Sequence, residues 1–298
     1  MSWLIWVVIL VITSWLFPYM LWRIKFKKPL KATIPVLAYH QVSDRFNLSI
    51  TRQKVSQFER GIRFLYEQGY KAVSLDEMFF PDECCDKKKV AITFDDAYQD
   101  VYLSAFPLLQ KFGFTACIFV ITGYVGKYNK WDYNWGKNRK RHLSWEQIKE
   151  MADAGFGFGS HTVNHPDLAK IPQQFVEYEL KRSKQVLEDK LGQRVHFLSY
   201  PFGRYNRYVQ KEAERLGYKG AYTLCSKSKN NNFHPFSQER RGVYLLDSPL
   251  TLKIKLNQGK LVWIEDMKAR IINGFPSWTV ILKGLPNYDK LNITSHHA

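Results

Sequence analysis

Two clusters of side chains in this sequence have the types and spacing for hydrolytic chemistry. Residues 90–94 (VAITF) form a short apolar run, rich in β-branched and aromatic residues, that ends abruptly in Asp95 and Asp96. Such a run suits a buried strand whose carboxyl end opens into a cleft. Two adjacent carboxylates at that mouth are costly to ionise together unless a cation lies between them or one holds a proton. A solvated turn after a strand is the plainer account of an Asp-Asp pair on its own. A second cluster argues against it: residues 156–159 (FGFG) also read as a strand, and they run into SHTVNHP, which contains His161 and His165. One carboxylate and two imidazoles make three ligands, the usual count for a catalytic zinc-type site with one coordination position left open.

Bringing these groups together needs a scaffold in which several strands end at one face. From residue 34 onward, strand-like and helix-like stretches alternate. Strands are expected at 34–39, 71–75, 90–94, 115–121, 156–159, 195–200, 220–224 and 242–246. Helices are expected at 53–66, 101–112, 173–191 and 207–216, and another from Ser144, with Glu146 in its first turn, to Ala154. This alternation argues for a parallel sheet with helical crossovers. The number of units, with the chemistry at strand ends, favours an α/β fold of the (β/α) barrel type over an open sheet. No glycine-rich phosphate fingerprint follows any strand, which argues against nucleotide binding.

The chain has 298 residues, with 44 Lys and Arg against 27 Asp and Glu, a formal charge of +17. The excess favours anionic partners. Basic residues are spread along the chain, with one concentration at 137–141 (KNRKR), and no zinc-finger, basic-heptad or RNA-binding signature accompanies them. No nucleic-acid partner is expected; anionic cell-envelope polymers suit the charge better. Residues 3–22 carry no charge and have aromatic residues towards both ends (Trp3, Trp6, Trp15, Tyr19 and Trp22), the pattern of one transmembrane helix. A basic n-region and a small-residue cleavage site are both missing, so the segment reads as an uncleaved anchor. The basic residues Arg23, Lys25, Lys27 and Lys28 that follow would by themselves keep the rest of the chain in the cytoplasm, although long domains are translocated largely regardless of flanking charge. The four cysteines (Cys84, Cys85, Cys117 and Cys225) form neither a disulfide framework nor a CxxC site, and Cys117 suits a buried packing role.

Three segments in order, TFDD (93–96), HTVNHP (161–166) and SYPFG (199–203), resemble the motifs of the polysaccharide deacetylases, the NodB-homology group of carbohydrate esterases. The opening PVLAYH (35–40) and LSWEQ (143–147) are similar to the branch that removes acetyl groups from poly-N-acetylglucosamine, the intercellular-adhesin deacetylases of biofilms. The resemblance spans about residues 34–246. It implies a distorted (β/α) barrel with a divalent metal ion, zinc first, with cobalt or nickel as alternatives. Carried over residue by residue, Asp95 resembles the general base and Asp96, His161 and His165 the metal ligands. Phe202, after Pro201, resembles the residue whose backbone N–H helps hold the oxyanion. The domains expected are 1–30 as membrane anchor, 31–250 as the deacetylase domain and 251–298 as a C-terminal extension. The substrate implied is an extracellular β-linked N-acetylglucosamine polymer, with peptidoglycan or chitin deacetylation, or a non-catalytic glycan-binding or export module, as alternatives. Such polymers lie outside the cell, which places the domain on the outer side of the membrane.

The chemistry supports this reading independently. An amide is a poor electrophile, so water must be activated and the oxyanion stabilised, and a metal ion does both. Tyr200 and Pro201, beside the motif, and Trp131 and Trp135, in the aromatic-rich insert 123–142, are the residues expected to touch sugar; the insert could equally fold on a small core of its own. Two departures from the family pattern stand out. The Arg that often lies three residues before the motif proline is Leu198 here, and Arg204, Arg240 or Arg241 could fill its place. The C-terminal Leu-x-His that supplies a general acid is also absent, leaving His40, His142, His196, His234, His296 and His297 unassigned, with His40 at the end of the first strand able to face the cleft.

Overall fold

The computed structural model describes residues 34–45, 49–79, 88–129, 139–224, 234–257 and 262–274. The expected anchor at 3–22, Cys84, Cys85 and Cys225, Trp131 and Trp135, and His296 and His297 lie outside these residues. Among the described residues, no helix is long and apolar enough to cross a membrane.

Eleven strands and eight α-helices are described. In chain order they are β1 (Val36–Tyr39), β2 (Gln41–Val42), β3 (Arg52–Gln53), α1 (Val55–Glu67), β4 (Lys71–Ala72), α2 (Leu75–Phe79), β5 (Lys89–Phe94), α3 (Phe106–Lys111), β6 (Cys117–Val120), α4 (Trp145–Asp153), β7 (Gly157–Ser160), α5 (Gln173–Leu191), β8 (Phe197–Ser199), α6 (Arg207–Arg215), β9 (Gly220–Thr223), β10 (Gln238–Glu239), β11 (Arg241–Gly242), α7 (Pro249–Asn257) and α8 (Val262–Gly274). A π-helical turn at Val101–Ala105 leads into α3. Ser144 caps α4 as expected: its hydroxyl accepts from the Gln147 N–H, and the Gln147 side chain accepts from the Ser144 N–H.

The main sheet is parallel throughout, in the order β10-β9-β8-β7-β6-β5-β1-β11. Its two edges belong to one short segment, since only Arg240 separates β10 from β11. On one side, β10 pairs with β9, and the Arg240 N–H donates to the Thr223 carbonyl. On the other, β11 pairs with β1, and the Val243 N–H donates to the Ala38 carbonyl. Residues 238–243 therefore nearly close the sheet into a barrel. β4 pairs with β5 off this path, which departs from an eightfold (β/α) repeat.

Period-2 alternation divides the side chains of the barrel strands into two sets. Val36, Ala91, Cys117, Phe119, Phe197 and Tyr222 point inward and pack together with Val73 and Leu75. Leu37, Tyr39, Ile92, Phe94, Ile118, Val120, Phe158, Leu198 and Ala221 point outward into the main core beneath the helices.

Two expected strands differ. The one at 71–75 is only Lys71–Ala72, because Leu75 opens α2. The one at 242–246 lies earlier, at 238–242: β11 ends at Gly242, and after the Val243 N–H bond to Ala38 the chain turns into the loop before α7. The domain boundary expected at residue 250 falls inside α7, whose Leu252 and Leu256 belong to the main core.

Candidate active site

The carboxyl ends of β5, β7 and β8 bring three loops together above the barrel. Five non-glycine residues among those described have left-handed φ values: Asp96 at 69°, Ala97 at 52°, Thr162 at 69°, His165 at 59° and Phe202 at 58°. All five sit in these loops. L-residues pay about 1–3 kcal/mol for such a conformation, and it persists only where the surroundings impose it.

The β5 loop is imposed from one side by residues 141–143. The Leu143 N–H donates to the Ala97 carbonyl, and the Gln99 N–H to the Arg141 carbonyl. Nδ1 of the buried His142 lies 2.6 Å from the Asp96 carbonyl oxygen. Burial pushes the His142 imidazole down to about 4, so it is neutral and Nδ1 carries the donated proton. The β7 loop is tied at both ends. His165 N–H donates to the Thr162 hydroxyl at 3.0 Å, and the Thr122 and Gly123 N–H groups donate to the carbonyls of Thr162 and Val163 at 3.1 and 2.9 Å.

Asp96, His161 and His165 converge as expected. Nε2 of His161 is 3.5 Å and Nε2 of His165 is 3.6 Å from Asp96 Oδ1, and one ligand atom from each residue lies within 4.8 Å of the others. A tetrahedral ion with bonds of about 2.0–2.1 Å separates its ligand atoms by about 3.3 Å, so the set is near the required size. His161 Nδ1 lies 2.7 Å from the Ser199 carbonyl, which fixes the proton there and leaves the Nε2 lone pair facing Asp96. Burial lowers the pKa of both imidazoles, His165 the further because His161 is beside it. Neutral imidazole lone pairs pointed at a buried carboxylate oxygen repel it unless a cation lies between them. These three residues therefore fit a divalent ion.

Asp95 is 2 % exposed and is not part of that set. Burial alone would raise its pKa, but the charge of Arg240, with the hydrogen bonds that Arg240 donates, outweighs burial and holds the carboxyl well below the usual carboxylate range. The pair is a two-pronged fork: Nη1 donates to Oδ1 at 2.8 Å and Nη2 to Oδ2 at 2.7 Å. Arg240 also donates to Thr93 Oγ1 and Ser199 Oγ at 3.1 and 2.7 Å, and its guanidinium carbon lies 5.2 Å from the Phe119 ring centroid. Of the three arginines considered for the place left by Leu198, Arg240 takes it, from the residue at which the barrel closes. Arg204 instead pairs with Asp167 at 2.9 Å. Leu198 is on the outward set of β8, within the main core.

His40 follows β1 directly. The β1–β5 register, carried one residue beyond Tyr39↔Phe94, places it beside Asp95. Its Nδ1 is buried and lacks a hydrogen-bond partner, and burial pushes the imidazole down to about 4 against the pull of Asp95. The other described histidines lie elsewhere: His196 pairs with Asp76 at 2.7 Å before the amino end of β8, and His234 is exposed.

One of the residues expected to contact sugar is turned into the core. Tyr200 is on the outward phase of β8, 1 % exposed, with its ring stacked on Tyr205 and its hydroxyl donated to the Phe236 carbonyl. Pro201 is buried as well. Phe202 does border the site, its ring 4.6 Å from that of His165. The two turn bonds around it, Gly203 N–H to the Tyr200 carbonyl and Arg204 N–H to the Pro201 carbonyl, do not use the Phe202 N–H.

Comparison with known proteins gives the same reading. The family described as Polysaccharide deacetylase matches residues 82–221. YxkH of Bacillus subtilis (strain 168) is 36% identical over 203 residues, covering 67% of each chain. The poly-beta-1,6-N-acetyl-D-glucosamine N-deacetylase of Staphylococcus epidermidis is 29% identical over 222 residues, 69% of this chain and 71% of that one. Among solved structures, the deacetylase PplD of Streptococcus pyogenes superposes with a TM-score of 0.66 at 30% identity, over 77% of this chain and all of that one. IcaB of Ammonifex degensii does so with a TM-score of 0.61 at 25% identity, over 75% and 95%. The match includes Asp95, Asp96, His161, His165 and Phe202, while His40 and Arg240 reach the same cleft from outside it. With this arrangement at the ends of the barrel strands, the chain belongs to the polysaccharide deacetylase family.

Proposed function

We propose that this protein is a metal-dependent hydrolase that removes N-acetyl groups from a β-linked N-acetylglucosamine polymer, poly-β-1,6-N-acetylglucosamine before chitin or peptidoglycan. The observation that carries the reading is a buried, fully ionised carboxylate, Asp95, held by Arg240 directly beside a separate three-ligand set. A pure binding module has no use for both. The likeness to the Staphylococcus epidermidis enzyme favours the β-1,6-linked polymer.

A divalent ion held by Asp96, His161 and His165, zinc first by the character of the ligands, would acidify water and polarise the acetyl carbonyl. Asp95 takes the proton from the attacking water as its oxygen bonds to the carbonyl carbon. The Phe202 N–H donates to the developing oxyanion. His40, neutral at pH 7 and adjacent to Asp95, carries the proton to the departing amine as the carbon–nitrogen bond breaks, giving acetate and a free glucosamine. Because Arg240 keeps Asp95 strongly acidic, Asp95 holds that proton only in passing.

Acetate release by the zinc-loaded full-length chain from β-1,6-linked N-acetylglucosamine oligomers, chitin oligomers and peptidoglycan tests the substrate. Release is expected to be fastest with the β-1,6-linked oligomers. Faster release from either β-1,4-linked polymer would transfer the reading to that substrate, and none from any would favour the glycan-binding alternative. The extracellular polymer, with the uncharged segment at 3–22, supports a single-pass anchor with the catalytic domain outside the cell. Protease added to intact cells is then expected to digest the domain; full protection until lysis would place it in the cytoplasm.

A further inference from the structure

The buried face of α5 consists of Val176, Glu179, Leu180, Ser183 and Leu187. An acid in that row is unexpected, because a carboxylate removed from water is costly unless it is paired and hydrogen-bonded. Glu179 is 0 % exposed, and its partners all lie in the histidine loop. Oε2 accepts from the Val163 N–H at 2.7 Å and the Asn164 N–H at 2.9 Å, and Oε1 accepts from Asn164 Nδ2 at 2.8 Å. The Thr162 side chain bonds to it as well, and no Lys or Arg is among these partners. Burial raises the pKa of this acid and the hydrogen bonds it accepts work against that rise; its acceptors are spent on the backbone and side chains of a single turn, which they hold in place.

The same helix grips the end of β7 one turn further on. Ser183 Oγ is 2.7 Å from Ser160 Oγ and donates to the Glu179 carbonyl at 2.7 Å, while Ser160 Oγ accepts from the Thr162 N–H at 3.2 Å. From the opposite side, Gly123 closes on the loop so tightly that a Cβ there would lie 2.6 Å from the Val163 carbonyl oxygen. The turn between the two histidines, with Thr162 and His165 in left-handed conformations, is therefore clamped between Gly123 and Glu179.

We propose that Glu179 is a positioning residue for the metal site: its carboxylate, fixed on α5, holds residues 162–164 so that His161 and His165 point at a single ion. This rests on the metal-ligand reading of those histidines. It does not depend on the substrate, so metal affinity is the measurement that tests it. An amide at position 179 can still do this work. Its oxygen accepts both backbone N–H groups, and the Asn164 side chain can turn to present its own oxygen to the new NH2. An aspartate withdraws the acceptor by one methylene, and a methionine removes it.

The test uses the full-length chain as wild type, Glu179→Gln, Glu179→Asp and Glu179→Met. Zinc affinity is read by competition with a chromophoric chelator, and the metal-free fold by thermal unfolding in EDTA. Glu179→Asp and Glu179→Met are expected to bind zinc about 10–100-fold more weakly with the metal-free fold retained, as loss of an outer partner of a ligand typically does, while Glu179→Gln stays within about 3-fold of wild type. Should Glu179→Met fail to fold, the contrast between Glu179→Asp and Glu179→Gln decides. Wild-type affinity in Glu179→Asp overturns the proposal. So does equal weakening in Glu179→Gln and Glu179→Asp, which would mark an effect of charge rather than of position. A wild type that binds no zinc would overturn the ligand reading as well, a separate failure visible before any variant is compared.

Discussion

Arg240 determines the charge state of Asp95. Replacing the guanidinium with an apolar side chain leaves a carboxylate buried without compensation, a change that typically costs about 3–5 kcal/mol. Arg240→Met is therefore expected to unfold in urea with its free energy of unfolding lowered by about that amount at pH 7, and to release acetate far more slowly. Arg240→Lys keeps the charge without the planar fork and should fall between the two. The pH dependence follows from the direction of the Asp95 shift. Its folded-state pKa lies below the unfolded value of about 3.9, so the stabilisation is fully present above about pH 4 and is lost as the pH falls further. The gap between wild type and Arg240→Met should accordingly narrow below pH 4; a constant gap from pH 7 to pH 3 would mean that the fork does not hold Asp95 ionised. At this scale the sequence was legible where residue type and spacing mark a cluster: Asp96, His161 and His165 do come together, with Asp95 next to Asp96. Arg240 lies 145 residues from Asp95, and local pattern could only leave it as one of three candidates. Glu179 does carry a signal in the sequence: an acid at the i+3 position from Val176 on a helix face otherwise shared with Leu180 and Leu187. An aromatic beside a motif reads as a sugar platform, but the two-residue period of β8 turns Tyr200 into the core.

Helices with a strong apolar stripe and a clear cap were readable as elements; the shortest strands were not. α5 runs over 173–191 as its periodicity predicts, ending at Gly192 in the left-handed conformation. β10 and β11 have two residues each, too few for alternation to register, and they exist because β9 and β1 each offer an open edge. The strand expected at 242–246 was drawn toward the apolar residues Val243, Tyr244, Leu245 and Leu246, of which Leu246 is 75 % exposed. Packing inside the barrel at β7 depends on the absence of a side chain at Gly159. A Cβ on Gly159 would lie 2.5 and 2.6 Å from two carbons of the Phe119 ring and 3.0 Å from the Phe197 carbonyl oxygen. The ring is fully buried and the carbonyl belongs to the neighbouring strand, so neither can retreat freely. Gly159→Ala is expected to lower stability by about 1–3 kcal/mol in thermal or urea unfolding. An unchanged transition would show that the barrel interior has slack there.

Across the whole molecule, the site is assembled from three parts of the chain. Residues 82–221 match the family and contain Asp96, His161 and His165, the proposed metal ligands, Asp95, the proposed base, and Phe202, the proposed oxyanion donor. Residues 34–42 add His40, and the closing segment at 238–242 adds Arg240. The C-terminal helices bear on the same segment, for buried Lys255 of α7 donates to the Gly242 carbonyl at 2.6 Å and pairs with Asp247 and with Glu265 of α8. The barrel class was legible from the alternation of elements, but its closure through one five-residue segment is a property of the assembled sheet. The division of labour between the adjacent carboxylates is the central claim, and acetate release measured together with bound metal in wild type, Asp95→Asn and Asp96→Asn tests it most directly. Asp95→Asn is expected to keep its ion while acetate release falls by about 100-fold or more, and Asp96→Asn to lose the ion and, with it, the activity. Loss of the ion from Asp95→Asn, or acetate release by that variant at the wild-type rate, would contradict the account.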